Sequence, residues 1–359
     1  MKIAFYAPLK APDHPVPSGD RQMARLLMQA LAQGGFDVTL ASRLRAFRAE
    51  PGPLDDLKRK ADAEKTRLKQ EWAGSGKPDL WFTYHLYYKA PDLIGPDLAR
   101  EFEIPYVTAE ASYAKRRDLE GWAEAQALIR AAVSLARVNL CFTDRDRPGL
   151  ESIAPEARFA SLAPFIDTTA YENIAASSPG QRLVTVAMMR KGDKFASFAM
   201  LAKALLLLID LPWHLTVIGD GPLRAETIAL FDGIPKDRID WRGELGTDAV
   251  RSALAEGALY VWPGCGEAYG MAYLEAEAAG LAVVAQATAG VPAVVHHEKT
   301  GLLTREGDVA AYAAAIRALL LDDARRAAYG KAARDFVFEE RSLRLAAVKL
   351  GLILRGIVS

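Results

Sequence analysis

The sequence predicts an α/β protein built from two doubly wound, Rossmann-like domains that face each other across a cleft. Short apolar runs alternate with helical segments along the chain, a pattern typical of βαβ units and therefore of parallel sheets covered by helices. The chain has 359 residues. Because single hydrophobic cores usually stop growing near roughly 250–300 residues, two domains are expected.

Composition and charge describe an ordinary globular protein. Hydrophobic residues make up 51% of the chain, and 45 Lys and Arg residues balance 45 Asp and Glu residues. A neutral chain gives no sign of nucleic-acid binding. Cys141 and Cys265 lack the spacing of a zinc site or a disulfide framework. No apolar run approaches the roughly 20 residues that span a bilayer, and the amino terminus is too short for a secretory signal, so we expect a cytoplasmic protein.

Residues 1–170 are predicted to form the first domain. An apolar strand is followed by a loop rich in proline, glycine and aspartate, then by a helix over residues 21–33 that stops at Gly34 and Gly35. Helical or polar segments separate the later apolar runs. The predicted strands cover residues 2–7, 36–41, 79–84, 105–109 and 138–143.

Residues 54–72 predict a helix with an unusual charge pattern. A thin apolar stripe runs along it, while residues 58–69 hold six basic and two acidic side chains. A solvated helix face explains this composition. A basic helix that rests on anionic lipid explains it as well, so contact with the inner face of a membrane through residues 54–72 stays open.

Residues 171–341 are predicted to form the second domain, after a linker at residues 175–181. Ligands of doubly wound sheets bind beyond the carboxyl ends of the strands, so the loops that follow those strands are the places to look for a site. A final helical stretch, residues 342–357, has an apolar stripe and is expected to pack on the first domain. The predicted strands cover residues 183–189, 214–219, 238–243, 258–263 and 281–286.

A glycine-rich segment after one of these strands carries the clearest functional signal. Glu267 lies in the predicted loop, and Glu275 lies eight residues further on, in the helix that follows. The amino terminus of that helix can bind an anion through backbone N–H groups alone. A diphosphate bound there would leave Glu267 near an attached sugar, and Glu275 could accept two hydrogen bonds from ribose hydroxyls. The N–H groups concerned are those of Gly270, Met271 and Ala272.

These residues resemble the retaining GT-B glycosyltransferases of family 4, also called glycosyl transferases group 1, whose signature is two glutamates with seven residues between them. Residues 218–223, with Gly219 and Gly221, resemble the family's Gly-x-Gly-Pro turn. Residues 289–292 resemble its Gly-Gly-x-Pro turn, and residues 299–303 resemble its TGLL strand. The resemblance covers residues 183–304 closely and the first 170 residues in outline.

The resemblance implies the GT-B fold, with an acceptor-side first domain and a second domain that binds a nucleotide sugar. It further implies transfer of a sugar from a donor such as a UDP- or GDP-sugar to a glycan or lipid-linked acceptor, with retention of configuration. Polysaccharide biosynthesis is the setting that family habit suggests. No cofactor is implied.

The family places an arginine and a lysine after the first strand of the second domain, where both neutralise the donor's diphosphate. The usual Gly-Arg pair is missing here, and the strand is followed by Arg190, Lys191 and Lys194. We assign the two roles to Arg190 and Lys194, with Lys191 as the rival for the lysine. Together with Glu267, which would hold the donor sugar, these two cations form the predicted catalytic group.

In the first domain, residues 18–20 resemble the family's glycine loop, in which a backbone N–H approaches the donor phosphate. Gly19 suits this approach because it has no side chain. Family members often carry a histidine in this domain that faces the donor sugar. The corresponding strand here is followed by Glu110, so a glutamate replaces that histidine, or His85 after the preceding strand takes its role.

Parts of the sequence are also compatible with three other functions. A nucleotide-sugar epimerase of the same build would need a histidine and carboxylate set, which the sequence alone does not locate. A non-catalytic nucleotide-sugar binder would keep Glu275 but tolerate loss of Arg190 and Lys194. A metal-dependent GT-A transferase is suggested by Asp144 and Asp146. Because these aspartates precede the donor motifs and the cations already supply positive charge, no metal site is expected.

Overall fold

The computed structural model describes residues 1–174 and 180–358 and divides them into two compact units. The first unit contains residues 1–163 together with the carboxyl-terminal helix, and the second contains Pro164–Ser342. Each unit holds a six-stranded, fully parallel sheet with helices alongside, so the predicted pair of doubly wound α/β domains is confirmed. Of the predicted linker, residues 175–179 lie outside the described residues.

The sheet of the first unit has the strand order β2-β1-β3-β4-β5-β6. The chain runs outward in one direction from β1 to β2 and in the other from β3 onward, so the order reverses between β1 and β3, which is the topological switch point. The elements are β1 (Lys2–Tyr6), α1 (Gly19–Gln33), β2 (Asp37–Ser42), α2 (Asp55–Ser75), β3 (Leu80–Tyr84), α3 (Gly95–Glu101), β4 (Tyr106–Ala109), α4 (Ala123–Leu135), β5 (Val138–Cys141), α5 (Arg147–Ile153) and β6 (Phe159–Ser161).

The second sheet is also doubly wound, but its order is β12-β11-β10-β7-β8-β9, with three strands on each side of the switch point between β7 and β10. The loops that follow these two strands therefore leave the sheet side by side. The elements are β7 (Arg182–Val186), α6 (Asp193–Leu206), β8 (His214–Ile218), α7 (Arg224–Ala229), β9 (Ile239–Gly243), α8 (Thr247–Ala255), β10 (Leu259–Val261), α9 (Met271–Ala278), β11 (Ala282–Gln286), β12 (Gly301–Thr304), α10 (Val309–Leu321) and α11 (Asp323–Glu340).

The carboxyl-terminal helix, α12 (Leu343–Val358), packs against α1 in the first unit. Its buried stripe includes Ala347, Leu350 and Leu354. The helices approach closely where α1 ends, since a Cβ atom at Gly34 would lie 3.2 Å from the Ala347 carbonyl oxygen. The Arg355 guanidinium also donates a hydrogen bond of 3.1 Å to the Gly34 carbonyl.

The basic helix α2 pairs its charges within the protein. Its apolar stripe is buried, as the sequence pattern predicted. Each of the six cations between residues 58 and 69 lies within salt-bridge distance of a carboxylate, which leaves less positive charge for a lipid surface. The pairs are Lys58 with Glu124, Arg59 and Lys60 with Asp56, Lys65 with Asp62 and Asp97, Arg67 with Glu64 and Glu71, and Lys69 with Glu101. In residues 1–174 and 180–358, none of the helices combines the length and the apolar composition of a membrane span.

Glu277 on α9 is a fully buried carboxyl group. Within the described part of the chain, neither of its oxygens makes a hydrogen bond of normal geometry, and the Thr300 hydroxyl is its nearby weak partner. Burial raises the pKa of Glu277 well above its ordinary value, and the Thr300 hydroxyl and the Arg341 guanidinium lower it by less. Burial therefore favours the neutral form of the group, because a buried carboxylate without a strong partner is costly.

We expect E277Q to keep or increase stability and to flatten its dependence on pH. A glutamate whose pKa is raised in the folded state contributes stability below its unfolded pKa of about 4.3. That contribution is lost as pH rises toward the folded value, by at most about 1.4 kcal/mol per pH unit. Glutamine has nothing to ionise. Urea denaturation at pH 5.5 and pH 8 measures the difference, with E339Q on the exposed surface of α11 as the control. An equal change in the free energy of unfolding between pH 5.5 and pH 8 in E277Q and the wild-type protein would contradict this account.

Candidate functional site

The loops after β7 and β10 meet through an ion pair. The Lys194 ammonium, in the first turn of α6, donates a hydrogen bond to Oε2 of Glu267, 73 positions along the chain. Only 21% of the Lys194 side chain and 18% of the Glu267 side chain are exposed, so the pair is poorly screened by solvent. The structure therefore brings together two of the three residues assigned to the catalytic group.

Arg190 and Lys191 lie in the loop between β7 and α6, and both are exposed. Within the described residues, neither side chain has an ion-pair partner, so both cations are free to meet a ligand. The role of Arg190 toward the diphosphate stays a prediction, and Lys191 stays the rival of Lys194 for the lysine.

The loop that carries Glu267 depends on three glycines with left-handed backbone. Gly264, Gly266 and Gly270 have φ angles of 73°, 61° and 80°. A Cβ atom at Gly270 would lie 2.6 Å from the Tyr273 ring, and one at Gly266 would lie 2.6 Å from the Asp193 carboxylate. Since L-residues rarely adopt this backbone and no space exists for a side chain, glycine is required. The tight loop holds Glu267 beside Lys194.

Gly219 and Gly221 have a packing role. Their φ angles are 132° and 157°, and a Cβ atom at either would collide with the carbonyl oxygens of Ala187 or Met189. The loop after β8 therefore lies directly against the loop after β7, which continues to Arg190. The two glycines therefore support the site by allowing these loops to pack closely. A direct contact of either glycine with the donor stays a prediction.

The helix α9 begins at Met271, and Gly270 occupies its N-cap position without a side-chain hydrogen bond. The backbone N–H groups of Gly270, Met271 and Ala272 thus stand at a helix amino terminus, where the partial positive charge favours an anion.

Glu275 lies in the second turn of α9 and is half-buried. Burial raises its pKa to about 7, and the charge of Arg251 on α8 lowers it by less. Tyr171 is buried near the same carboxylate, which contributes to its raised pKa after the larger effect of burial. Arg251 was not found by sequence analysis, because nothing in the spacing of α8 and α9 indicates that they converge.

A second group of charged side chains lies at the switch point of the first sheet. His85 follows β3 and Glu110 follows β4, and both have left-handed backbone, with φ angles of 58° and 54°. Such angles are uncommon for residues with side chains and concentrate at functional sites. The Nδ1 atom of His85 lies 3.0 Å from an Asp20 carboxylate oxygen in the first turn of α1. The structure thus brings both acceptor-side candidates into one charged cluster.

The pKa values of His85 and Glu110 are both raised in this cluster. Burial lowers the pKa of His85, but the carboxylates of Glu110, Asp20 and Asp146 outweigh burial and raise it to about 9. Burial raises the pKa of Glu110 to about 7, although the charge of His85 opposes the shift. At neutral pH, the imidazole is a cation and Glu110 is partly ionised.

Gly19 lies at the start of a helix and not in the expected loop. It is the first residue of α1, which begins two residues earlier than predicted because the Ser18 hydroxyl caps the helix by accepting a hydrogen bond of 3.2 Å from the Arg21 N–H. The prediction of a loop at Gly19 is therefore wrong, while its backbone N–H now belongs to a helix amino terminus. A Cβ atom at Gly19 would meet nothing within 4 Å, so packing within the protein does not require glycine here.

The aspartates Asp144 and Asp146 follow β5 in the first unit. Burial raises the pKa of Asp146, and the charges of Arg145 and His85 oppose the shift. Within the residues that the structure describes, no group of three or more His, Cys, Asp or Glu side chains is arranged to hold a metal ion.

The protein consists of two parallel, doubly wound sheets, and the second sheet carries an acid–cation pair at its switch point. Sucrose-phosphate synthase from Thermosynechococcus elongatus has the same architecture, with a TM-score of 0.75, 18% identity and coverage of 99% of this chain and 98% of that one. HepE from Anabaena, solved in complex with UDP, gives a TM-score of 0.72 at 14% identity, over 99% of this chain and 100% of that one. The fold is GT-B.

Residues 180–322 match the family described as Glycosyl transferases group 1. A sulfoquinovosyl transferase of Arabidopsis thaliana is 36% identical over 140 residues, which is 38% of this chain and 27% of that protein. A GDP-mannose-dependent phosphatidylinositol monomannoside mannosyltransferase of Mycobacterium tuberculosis is 34% identical over 151 residues, or 40% of this chain and 39% of that protein. The chain therefore matches less than half the length of these curated relatives.

We expect E110Q to lower the pKa of His85, because Glu110 is the largest of the influences that raise it. Two-dimensional NMR of the imidazole C–H groups follows the titration in the intact protein. The wild-type histidine is expected to titrate near pH 9. D146N is the graded control, since Asp146 contributes least of the three carboxylates, and it should lower the pKa by less. A wild-type His85 that titrates near pH 6.5 would show that the carboxylates do not control this imidazole.

Proposed function

We propose that this protein is a glycosyltransferase that moves a sugar from a nucleotide-sugar donor to a glycan or lipid-linked acceptor with retention of configuration. One observation carries the proposal: Lys194 and Glu267 form an ion pair at the switch point of the second sheet. The match of residues 180–322 to Glycosyl transferases group 1 supports it, as do the names of the relatives that share this region.

The donor's diphosphate would bind between the amino terminus of α9 and the cations of the β7–α6 loop. In the free protein, Lys194 and Glu267 neutralise each other. A diphosphate competes for the ammonium, and the released carboxylate can accept hydrogen bonds from the sugar hydroxyls. Binding of the donor thus converts a closed ion pair into two separate contacts, one to each part of the donor.

The same groups would stabilise the transition state. When the bond between the sugar and the diphosphate breaks, negative charge grows on the leaving phosphate, close to Lys194, Arg190 and the helix amino terminus. The sugar becomes positively charged beside Glu267. In a transfer with retention, the acceptor attacks the face that the nucleotide leaves, and the leaving phosphate accepts the acceptor's proton.

We propose that the acceptor binds at the carboxyl ends of the first sheet. His85, Glu110 and Asp20 provide both hydrogen-bond donors and acceptors there, which suits the hydroxyl groups of a glycan. We further propose that transfer needs no divalent metal, because Arg190, Lys194 and the amino terminus of α9 can supply the positive charge that the diphosphate requires.

An epimerase acting on a nucleotide sugar is the second candidate. The sequence alone located no histidine and carboxylate set for it, but the cluster of His85, Asp20 and Glu110 is such a set. General acid–base chemistry of this kind could remove and return a proton on the sugar.

Peripheral membrane contact through residues 54–72 stays a prediction. The carboxylate partners of every cation between residues 58 and 69 argue against it. They reduce the attraction to anionic lipid that free basic residues would supply.

Incubation of the intact protein with UDP-, GDP- and ADP-sugars tests the proposed function. We expect release of nucleoside diphosphate from donors with one kind of base, at a rate that EDTA does not change. K194M should abolish release, whereas K203M should not, because Lys203 lies on the same helix in its last turn. NMR of the products distinguishes the two candidates. Recovery of an isomerised nucleotide sugar without release of diphosphate would favour the epimerase, and loss of activity with EDTA would refute the metal-free mechanism.

Substitution of Glu267 and of Glu275 should have different kinetic effects. E267A removes a contact to the reacting sugar and should mainly lower kcat, whereas E275A removes ribose contacts that exist before and during the reaction and should mainly raise KM for the donor. Because the carboxylate form of Glu275 must accept the ribose hydroxyls and its pKa is about 7, KM for the donor should fall as pH rises from 6 to 8. E275Q should remove that dependence. Equal, small effects of E267A and E275A in steady-state kinetics would contradict both roles.

A further inference from the structure

Trp262 follows β10 and is anchored from several sides. The residue is only 2% exposed. Its backbone N–H donates a hydrogen bond of 3.2 Å to the Val284 carbonyl, and its carbonyl oxygen accepts one of 3.0 Å from the Tyr273 hydroxyl. The Phe198 ring packs edge-on against the indole with 4.9 Å between ring centroids. The indole is therefore a fixed part of the second domain's core.

This fixed ring contacts both members of the ion pair. Its Nε1 lies 3.5 Å from Oε2 of Glu267, the same oxygen that Lys194 binds. The Lys194 ammonium lies 5.5 Å from the centroid of the indole ring, within the range of a cation–π contact. One rigid side chain thus offers an N–H group to the carboxylate and an electron-rich face to the ammonium.

We propose that Trp262 is a positioning residue that keeps Glu267 and Lys194 aimed at the donor after their ion pair opens. The inference rests on the proposed function, in which the diphosphate draws Lys194 away from Glu267. Neither contact with the indole requires the direct ion pair, so both can persist when the donor separates the two charges.

The need for such a residue follows from side-chain freedom. Lysine and glutamate have long side chains that lose orientation when their partner leaves, and reordering them costs conformational entropy. Catalysis depends on charged groups that are already aligned when the transition state forms. A buried indole with few rotatable bonds can hold the carboxylate through its N–H group at little entropic cost.

Trp213 provides a matched control in the same domain. It is fully buried, its Nε1 donates a hydrogen bond of 2.8 Å to the Leu208 carbonyl, and the Arg238 guanidinium carbon lies 5.2 Å from the centroid of its ring. Trp213 therefore makes the same two kinds of contact as Trp262, but with none of the residues assigned to the site.

The kinetic test compares W262F with W213F. W262F keeps an aromatic face and loses the N–H group, so we expect kcat to fall roughly 10-fold, the lower end for a hydrogen bond to a charged group. Affinity for free nucleoside diphosphate, measured by calorimetry, should stay within about 2-fold of the wild-type value, since that ligand has no sugar for Glu267 to hold. W213F should leave kcat unchanged. W262H, which keeps a ring N–H, should recover part of the loss. Equal kcat values in W262F and the wild-type protein would overturn the proposal.

A measurement without substrate separates this proposal from the proposed function. If Trp262 acts through Glu267, the loss of melting temperature in the W262F, E267Q double variant should be smaller than the sum of the two single losses. Additive losses would show that the residues are independent and would overturn the proposal. Coupled losses in a protein that releases no diphosphate from any donor would refute glycosyl transfer, while Trp262 would remain the residue that positions the pair.

Discussion

The ion pair between Lys194 and Glu267 is the contact on which the geometry of the second domain's site depends. It forms because β7 and β10 are neighbours in the sheet, with Leu183 beside Leu259 in register, so the loops that follow them leave the same edge together. Burial of both side chains makes the attraction stronger than that of a surface pair. It also makes a single uncompensated charge costly, so any ligand that opens the pair must replace both partners.

Both sheets are parallel and doubly wound, and each places a charged cluster at its own switch point. The two clusters differ in which charges dominate. In the second domain, Lys194 pairs with Glu267 in the loop that leads to the amino terminus of α9, an arrangement of positive charge that suits a diphosphate. In the first domain, carboxylates surround His85, so that its pKa rises to about 9. Topology explains where each cluster lies, but only the side chains that follow each strand decide what it can bind.

Apolar runs predicted most of the strands, because strands buried on both faces need continuous apolar sequence. The edge strand β6 was missed, since two of its three residues are half-buried and the third is exposed. The glutamate signature indicated the region of the site. The partners could not be predicted: Lys194 and Glu267 are 73 residues apart, and no local pattern pairs them. The contact of His85 with Asp20 was missed for the same reason. Both contacts can be predicted only once the strand order is known.

Glu275 and Glu277 illustrate why spacing alone does not identify a functional carboxylate. They are two residues apart on α9, so they lie on different faces of the helix. The face with Glu277 is fully buried, and burial favours the neutral form of its carboxyl group by raising its pKa. The face with Glu275 is half-buried, and Arg251 draws its pKa down against the effect of burial. A group that can ionise near pH 7 and reach solvent can bind a ligand, whereas a neutral group in the core can only occupy space. Two glutamates on one helix thus differ in their ionisation, and packing against the neighbouring elements α8 and α11 causes the difference.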